Sequence, residues 1–180
     1  MPLFQFRGGK DKIKKLLEEG KFEEVLEKAK SDKKTLNHII ELLDDKNPGI
    51  VGDALLILTS VYKENPNINI DEKLVKKVLS FILHTNQYIK ENAMTFAMAI
   101  AENMGEQFKE IFREEISRLL REGGKQEIAF ALLLIQKLKL SEFRGDVEKL
   151  VSVEDKVILP FEGLKWVKVG DIAKNVLDHL

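Results

Sequence analysis

One arrangement of apolar residues returns along the chain at intervals near forty, and that recurrence limits the possible fold more than any other feature. Leu36, Ile39, Ile40 and Leu43 lie at three- and four-residue spacing, which predicts a helix with one buried face. Moved by 39 residues, the stripe becomes Val75, Val78, Leu79 and Ile82. The stripe that follows it, Ile50, Ala54, Ile57, Leu58 and Val61, obeys the same shift and lands on Ile89, Ala93, Phe96, Ala97 and Ile100. A further 38 residues reach Ala131, Leu134, Ile135 and Leu138, and 42 more reach Ala173, Val176, Leu177 and Leu180. The preceding helices of these later copies are expected from Phe108 to Leu120 and near Val147 to Val151.

Asn47 can cap the second helix of the first copy, with Pro48 at the position where a missing N–H costs nothing; Asn65-Pro66 ends it. Two antiparallel helices per period cannot bury their stripes alone, so successive pairs must complete one core. The expectation is an all-α fold: a right-handed α-solenoid of about four helix pairs, at 32–65, 71–104, 107–139 and 144–180, in a single domain spanning 1–180. Residues 11–30 read as two short helices broken at Gly20 that cap one open end. In the last copy the connection lengthens. Leu43 to Ile50 and Ile82 to Ile89 are each 7 residues apart, but Val151 to Val169 is 18. Strand-forming residues on either side of Glu162-Gly163 predict a small β-hairpin there. Val51-Gly52-Asp53 also returns, as Val169-Gly170-Asp171.

With 44% hydrophobic and 33% charged residues in 180, the chain has the content of a folded protein with solvated faces. Its net charge of -1 is spread evenly, 16 basic and 14 acidic groups in residues 1–90 against 13 and 16 in 91–180, so no global field draws nucleic acid. Cysteine is absent, which excludes disulfides, thiolate nucleophiles and cysteine zinc sites and suits a reducing compartment. MPLFQFRGGK holds too few apolar residues for a signal-peptide core, and no apolar run approaches a membrane span. A soluble cytoplasmic protein is expected. Abundant lysine and glutamate with scarce glutamine lean toward a thermophile's surface.

ELLDDKNPGIVGDALLILTSV resembles a HEAT repeat through Asp45, Pro48, Ile50 and Ala54, although Val51 stands where that family usually has arginine. HTNQYIKENAMTFAMAI keeps Ile89-Lys90 and Ala93 without the acid and the proline. The resemblance covers about residues 32–180, and the last copy, with its hairpin and VGDIAKNVL, is similar to repeats of HEAT proteins related to bilin lyases. It implies a partner-binding scaffold and names no partner.

No motif carries catalysis, so a non-enzyme is expected, with no cofactor and no metal. Gly8-Gly9-Lys10 and Gly123-Gly124-Lys125 lack the rest of a phosphate loop, and Gly123-Gly124 reads as a helix end with glycine in the left-handed conformation. His38, His84 and His179 show no ligand spacing. Glu18-Glu19, Glu23-Glu24 and Glu114-Glu115 read as solvated faces. Arg7, Lys10, Lys12, Lys14 and Lys15, beside Phe4 and Phe6, form a local basic cluster, read as a charged N-terminal arm rather than a nucleic-acid site. Trp166 is either a packing anchor, the favoured reading, or an exposed hot spot.

In a HEAT-like stack the second helices line the concave side. The positions opposite their buried stripes therefore predict a partner-binding groove: Leu56, Glu91, Thr95, Met98, Glu102, Leu133, Gln136, Asp171 and Asn175, with Trp166 beside them. Leu56, Met98 and Leu133 would form an exposed apolar strip, acidic at its edges, that accepts a peptide or helix with apolar anchors and basic flanks. Against this stands burial of the third second helix on both sides, by curvature or by the N-terminal cap. A protein or peptide partner is the leading expectation and a nucleic-acid-binding HEAT-like protein the alternative; no membrane partner is expected, and the open solenoid ends would allow homo-oligomers.

Overall fold

The computed structural model describes residues 8–161, 163 and 165–180. Phe4, Phe6 and Arg7 of the basic cluster, and Glu162 at the expected hairpin tip, lie outside the described residues. The fold is mostly helical, with one small antiparallel two-stranded sheet. No described helix is long and apolar enough to cross a membrane.

The N-terminal helices α1 (Gly9–Glu18) and α2 (Phe22–Ser31) part at Gly20, whose φ of 76° only glycine adopts without strain. The amides of Gly20 and Lys21 donate to the carbonyls of Leu17 and Leu16, so the last turn of α1 is closed by the chain itself. Asp32 then starts α3 (Lys33–Glu41) by accepting from the amides of Lys34 and Thr35, and a 3-10 turn at Leu42–Asp44 ends it. Asn47 starts α4 (Pro48–Glu64) by accepting from the Gly49 amide at 2.9 Å, with Pro48 in the first turn. Asp71 and Asn86 cap α5 (Glu72–Ser80) and α6 (Gln87–Met104) in the same way.

The helices α7 (Lys109–Glu122) and α8 (Lys125–Leu138) meet at Gly123-Gly124. The expectation of a left-handed glycine there is corrected: both glycines are extended, at φ -75° and -81°. Gly123 is needed for closeness instead, because a Cβ would lie 2.5 Å from the Leu119 carbonyl and 2.8 Å from the Glu127 Cβ. The left-handed stop comes later, at Lys139, with φ 52°. A 3-10 turn at Ser141–Phe143 leads into α9 (Arg144–Glu148), the strands β1 (Lys156–Val157) and β2 (Val167–Lys168), and α10 (Val169–Leu177). Lys156 pairs with Lys168 and Val157 with Val167, so the inserted hairpin is present but only two residues deep.

Each first helix packs on its own partner: α3 on α4, α5 on α6, α7 on α8, α9 on α10. The second helices form the continuous row, α4 against α6, α6 against α8 and α8 against α10, while α1 and α2 pack on α3 and α4 at the head of the row. The recurring stripes supply the seam. Ile50, Ala54, Ile57, Leu58 and Val61 are buried, as are Ile89, Ala93, Phe96, Ala97 and Ile100, and one apolar core runs from Ile13 to Val176. Leu177 and Leu180 are only partly covered.

Polar ties join neighbouring second helices at their N-terminal halves. The Tyr88 hydroxyl donates to Asp53 at 2.5 Å, tying α6 to α4. Lys90 and Glu127, both largely buried, sit 2.5 Å apart between α6 and α8. The Gln87 amide donates to Gln126, and the Gln126 amide donates to the Ile158 carbonyl, each at 3.0 Å. Among the described residues no arginine takes part in this ladder.

One solvated pair is also corrected. Glu114 is exposed, but Glu115 is only 8% exposed and accepts from the Arg118 guanidinium at 3.0 and 2.5 Å. Arg118 also donates to the Leu79 carbonyl at 3.3 Å, which joins α7 to α5. Burial pushes the Glu115 carboxyl above its usual value although Arg118 pulls it down.

Candidate partner-binding cavity

The C-terminal halves of α4, α6 and α8 do not close on one another. They leave a recess of about 450 Å³ whose walls include Lys63 from α4, Thr95, Met98 and Glu102 from α6, and Leu133 and Gln136 from α8. Helical spacing explains the selection. Thr95, Met98 and Glu102 rise one turn at a time on the face turned away from Phe96, Ala97 and Ile100, and Leu133 and Gln136 do the same beside Leu134 and Ile135. Phe161, from the long connection before α10, completes the lining and stands edge-on to the Phe130 ring at 6.0 Å. Phe130 is fully buried in α8, so it fixes the Phe161 ring at the recess.

The polar groups in the walls are partly committed. The Thr95 hydroxyl donates to the Glu91 carbonyl one turn back, and Lys137 pairs with Glu102 at 3.2 Å across the α6–α8 boundary. Lys63 is exposed. Two lysines against one glutamate leave the lining slightly basic, whereas acidic edges were expected. Met98, Leu133 and Phe161 add apolar surface to a lining whose exposed area is otherwise mainly polar.

Of the residues singled out from the sequence, Thr95, Met98, Glu102, Leu133 and Gln136 come together here, and the other five do not line the recess. Leu56 is half-buried at the middle of α4, and Glu91 accepts from the Gln87 amide at 2.8 Å in the tied region. Asp171 and Asn175 are exposed on α10, where the Asn175 carbonyl is engaged by His179. Trp166 is 68% exposed, so the reading as a packing anchor is corrected. The expected exposed strip of Leu56, Met98 and Leu133 is likewise a recess, with Met98 7% exposed and Leu56 outside it. Phe161 was missed. The signal was present in the length of the last connection, but not which of its residues would turn inward.

Among the described residues no group of three or more His, Asp or Glu side chains is placed to hold a metal ion. The two buried carboxylates among the described residues, Glu115 and Glu127, each face a cation inside a helix–helix seam. Compared with known proteins, the chain matches no family model, no curated protein and no solved structure.

Proposed function

We propose that the chain is a HEAT-like, right-handed α-solenoid, with a cap at 11–30 and helix pairs at 32–65, 71–104, 107–139 and 144–180, that acts as a non-catalytic scaffold for a protein partner. Packing of the second helices in chain order supports the solenoid. The observation that carries the function is the convergence of Lys63, Thr95, Met98, Leu133, Gln136 and Phe161, from three successive helices and a loop, on one recess. At about 450 Å³ it suits one or two apolar side chains of an extended or helical peptide. Gln136 and Thr95 are placed to meet the peptide's polar groups. With Lys63 and Lys137 at the rim, the flanks of that peptide are neutral or acidic near the anchor, not basic.

Selection of binders from a displayed peptide library against the whole chain tests this. Selected peptides are expected to share an apolar anchor, to perturb the amide resonances of Thr95, Met98, Leu133 and Gln136, and to lose at least about tenfold in affinity to Leu133→Glu, roughly 1.4 kcal/mol. Selected peptides that bind Leu133→Glu as tightly as the native chain would remove the proposal.

A further inference from the structure

The charges in the recess between α4, α6 and α8 do not cancel. Among the described residues Glu102 is its one lining carboxylate, and Lys137 holds it at 3.2 Å. Lys63, in the last turn of α4, lines the same recess, is exposed, and has no carboxylate within ion-pair distance among the described residues. The next residue, Glu64, is engaged by Lys30 of α2 at 2.9 Å. One ammonium group is therefore left over.

A neutral group is uncommitted as well. The half-buried Gln136 side-chain amide takes part in no hydrogen bond among the described residues, so it keeps both a donor and an acceptor. The Thr95 hydroxyl, by contrast, gives its proton to the Glu91 carbonyl. Lys63 and Gln136 belong to α4 and α8, which pack on opposite sides of α6, and each helix-to-helix step is about 8–10 Å. They therefore suit two successive groups of an extended chain better than one shared carboxylate. Between them lie Met98 and Leu133.

The row of second helices begins at α4, so a chain crossing from α8 runs out of lining at Lys63. Toward the helix N-termini the way is shut by the ties of Gln87 to Gln126 and of Lys90 to Glu127. Resting on the scaffold reading above, we propose that the recess takes the extended C-terminus of a partner protein. The terminal carboxylate pairs with Lys63, the last side chain, an apolar one, lies on Met98 and Leu133, and the backbone of the preceding residue meets Gln136. An extended chain offers Gln136 both an N–H and a C=O, which the interior of a helix does not. A chain end also carries its carboxylate and its apolar side chain on one residue, as so short a recess requires, and the surplus positive charge turns away an N-terminal ammonium group.

The test uses the full chain and octapeptides of neutral residues labelled at the N-terminus, with leucine, methionine or phenylalanine as the apolar residue. Each is made as the free acid, as the C-terminal carboxamide, and as a carboxamide with aspartate following the apolar residue. By fluorescence anisotropy the acids are expected to bind at least about tenfold tighter than either carboxamide set and to weaken as salt rises. They should perturb the amide resonances of Lys63, Met98, Leu133 and Gln136. Lys63→Gln, an exposed change, should abolish the preference for the acid while leaving carboxamide affinity where it was, a pattern that loss of fold does not produce. Acids and carboxamides that shift the recess resonances with equal affinity overturn the chain-end proposal and leave the scaffold reading standing. Aspartate carboxamides bound as tightly as the acids also overturn it, assigning Lys63 to an acidic side chain, as does an acid preference that survives Lys63→Gln. If no acid shifts those resonances at about 1 mM the proposal falls, and the library selection above decides the scaffold reading separately.

Discussion

Val51-Gly52-Asp53 on α4 and Val169-Gly170-Asp171 on α10 carry the same three residues near the start of a second helix, and the structure uses them differently. At Gly52 the missing side chain makes room for the Tyr88 ring from the following pair, whose hydroxyl then donates to Asp53. Burial pushes the Tyr88 phenol up, and the bond to Asp53 adds to it. At Gly170 the visitor is backbone. A Cβ there would lie 2.5 Å from the Val151 carbonyl and 2.8 Å from that of Val153, and the amides of Val169 and Gly170 donate to Asp155 and Val153 at 2.9 Å. The first glycine joins a pair to its successor through a side chain; the second fastens a pair to its own long connection. A sequence echo therefore reports a shared need for closeness without fixing what comes close.

Replacing each glycine by alanine separates the two uses. Gly170→Ala sets a methyl group against main chain that cannot rotate away, and should cost about 3 kcal/mol, read as a fall in melting temperature with early hydrogen exchange at Val169. A loss under about 1 kcal/mol would mean that the connection simply moves aside, and the contrast with Gly52 would collapse.

Of intermediate size is the tie that joins α7 to α5. Glu115→Ala leaves Arg118 without its carboxylate and should cost about 2 kcal/mol, less than a fully buried pair because Arg118 is partly open to water. Its pH signature is distinctive. Because burial raises the Glu115 carboxyl above 4.5, the folded chain holds that proton more tightly than the unfolded chain. The contribution is fully present below the unfolded value and is lost as pH rises through the folded one. Asp44, lowered chiefly by its hydrogen bond from Lys77, behaves oppositely, contributing above its unfolded value and losing that contribution on acidification. Glu115→Gln should thus remove a decline in stability above pH 4.5 that Asp44→Asn leaves in place; matching pH profiles would place Glu115 in solvent.

Gly52→Ala should cost only about 1 kcal/mol, because the Tyr88 ring is 40% exposed and can swing outward. The decisive measurement is the double-mutant cycle. In a Tyr88→Ala background the same change should become stabilising by about 1 kcal/mol, since alanine favours the helix over glycine and nothing then occupies the space. A cost that persists without Tyr88 would show that the α4–α6 junction, like the α10 one, is limited by backbone.

How much of this could be read from the chain follows physical lines. Burial of Ile50, Ala54 and Ile57 and of their counterparts 39 residues on was legible, because a helix period fixes one face and only neighbouring helices can cover it. Asn47 and Pro48 announced the start of α4 by local chemistry alone. The cavity was half legible. Helical spacing put Thr95, Met98 and Gln136 on the open face, but extended that face to Leu56 and Glu91, where the ties through Tyr88, Lys90 and Gln126 draw the helices together. Those ties depend on side chains reaching between helix pairs, which a single-helix pattern does not encode. Glu115 was misread for the same reason, its burial being decided by where α7 meets α5.

The smallest effect is expected at the most conspicuous residue of the last connection. Trp166 is 68% exposed, so Trp166→Ala should change stability by less than about 0.5 kcal/mol, although tryptophan is the largest side chain in the chain. The same connection is held by the amides of Val169 and Gly170, by Lys168 pairing with Glu154 at 2.7 Å, and by the Gln126 amide on Ile158. Main-chain bonds and Phe161 fix its path, and the indole is left over. Intrinsic fluorescence gives a direct check, because a single tryptophan in water should emit near the unfolded wavelength and be fully quenched by iodide in the folded chain. A blue-shifted, protected indole, or a melting temperature that falls with Trp166→Ala as far as with Gly170→Ala, would make the ring a structural wedge. The contrast between a side-chain junction at α4 and a backbone junction at α10 would then be lost.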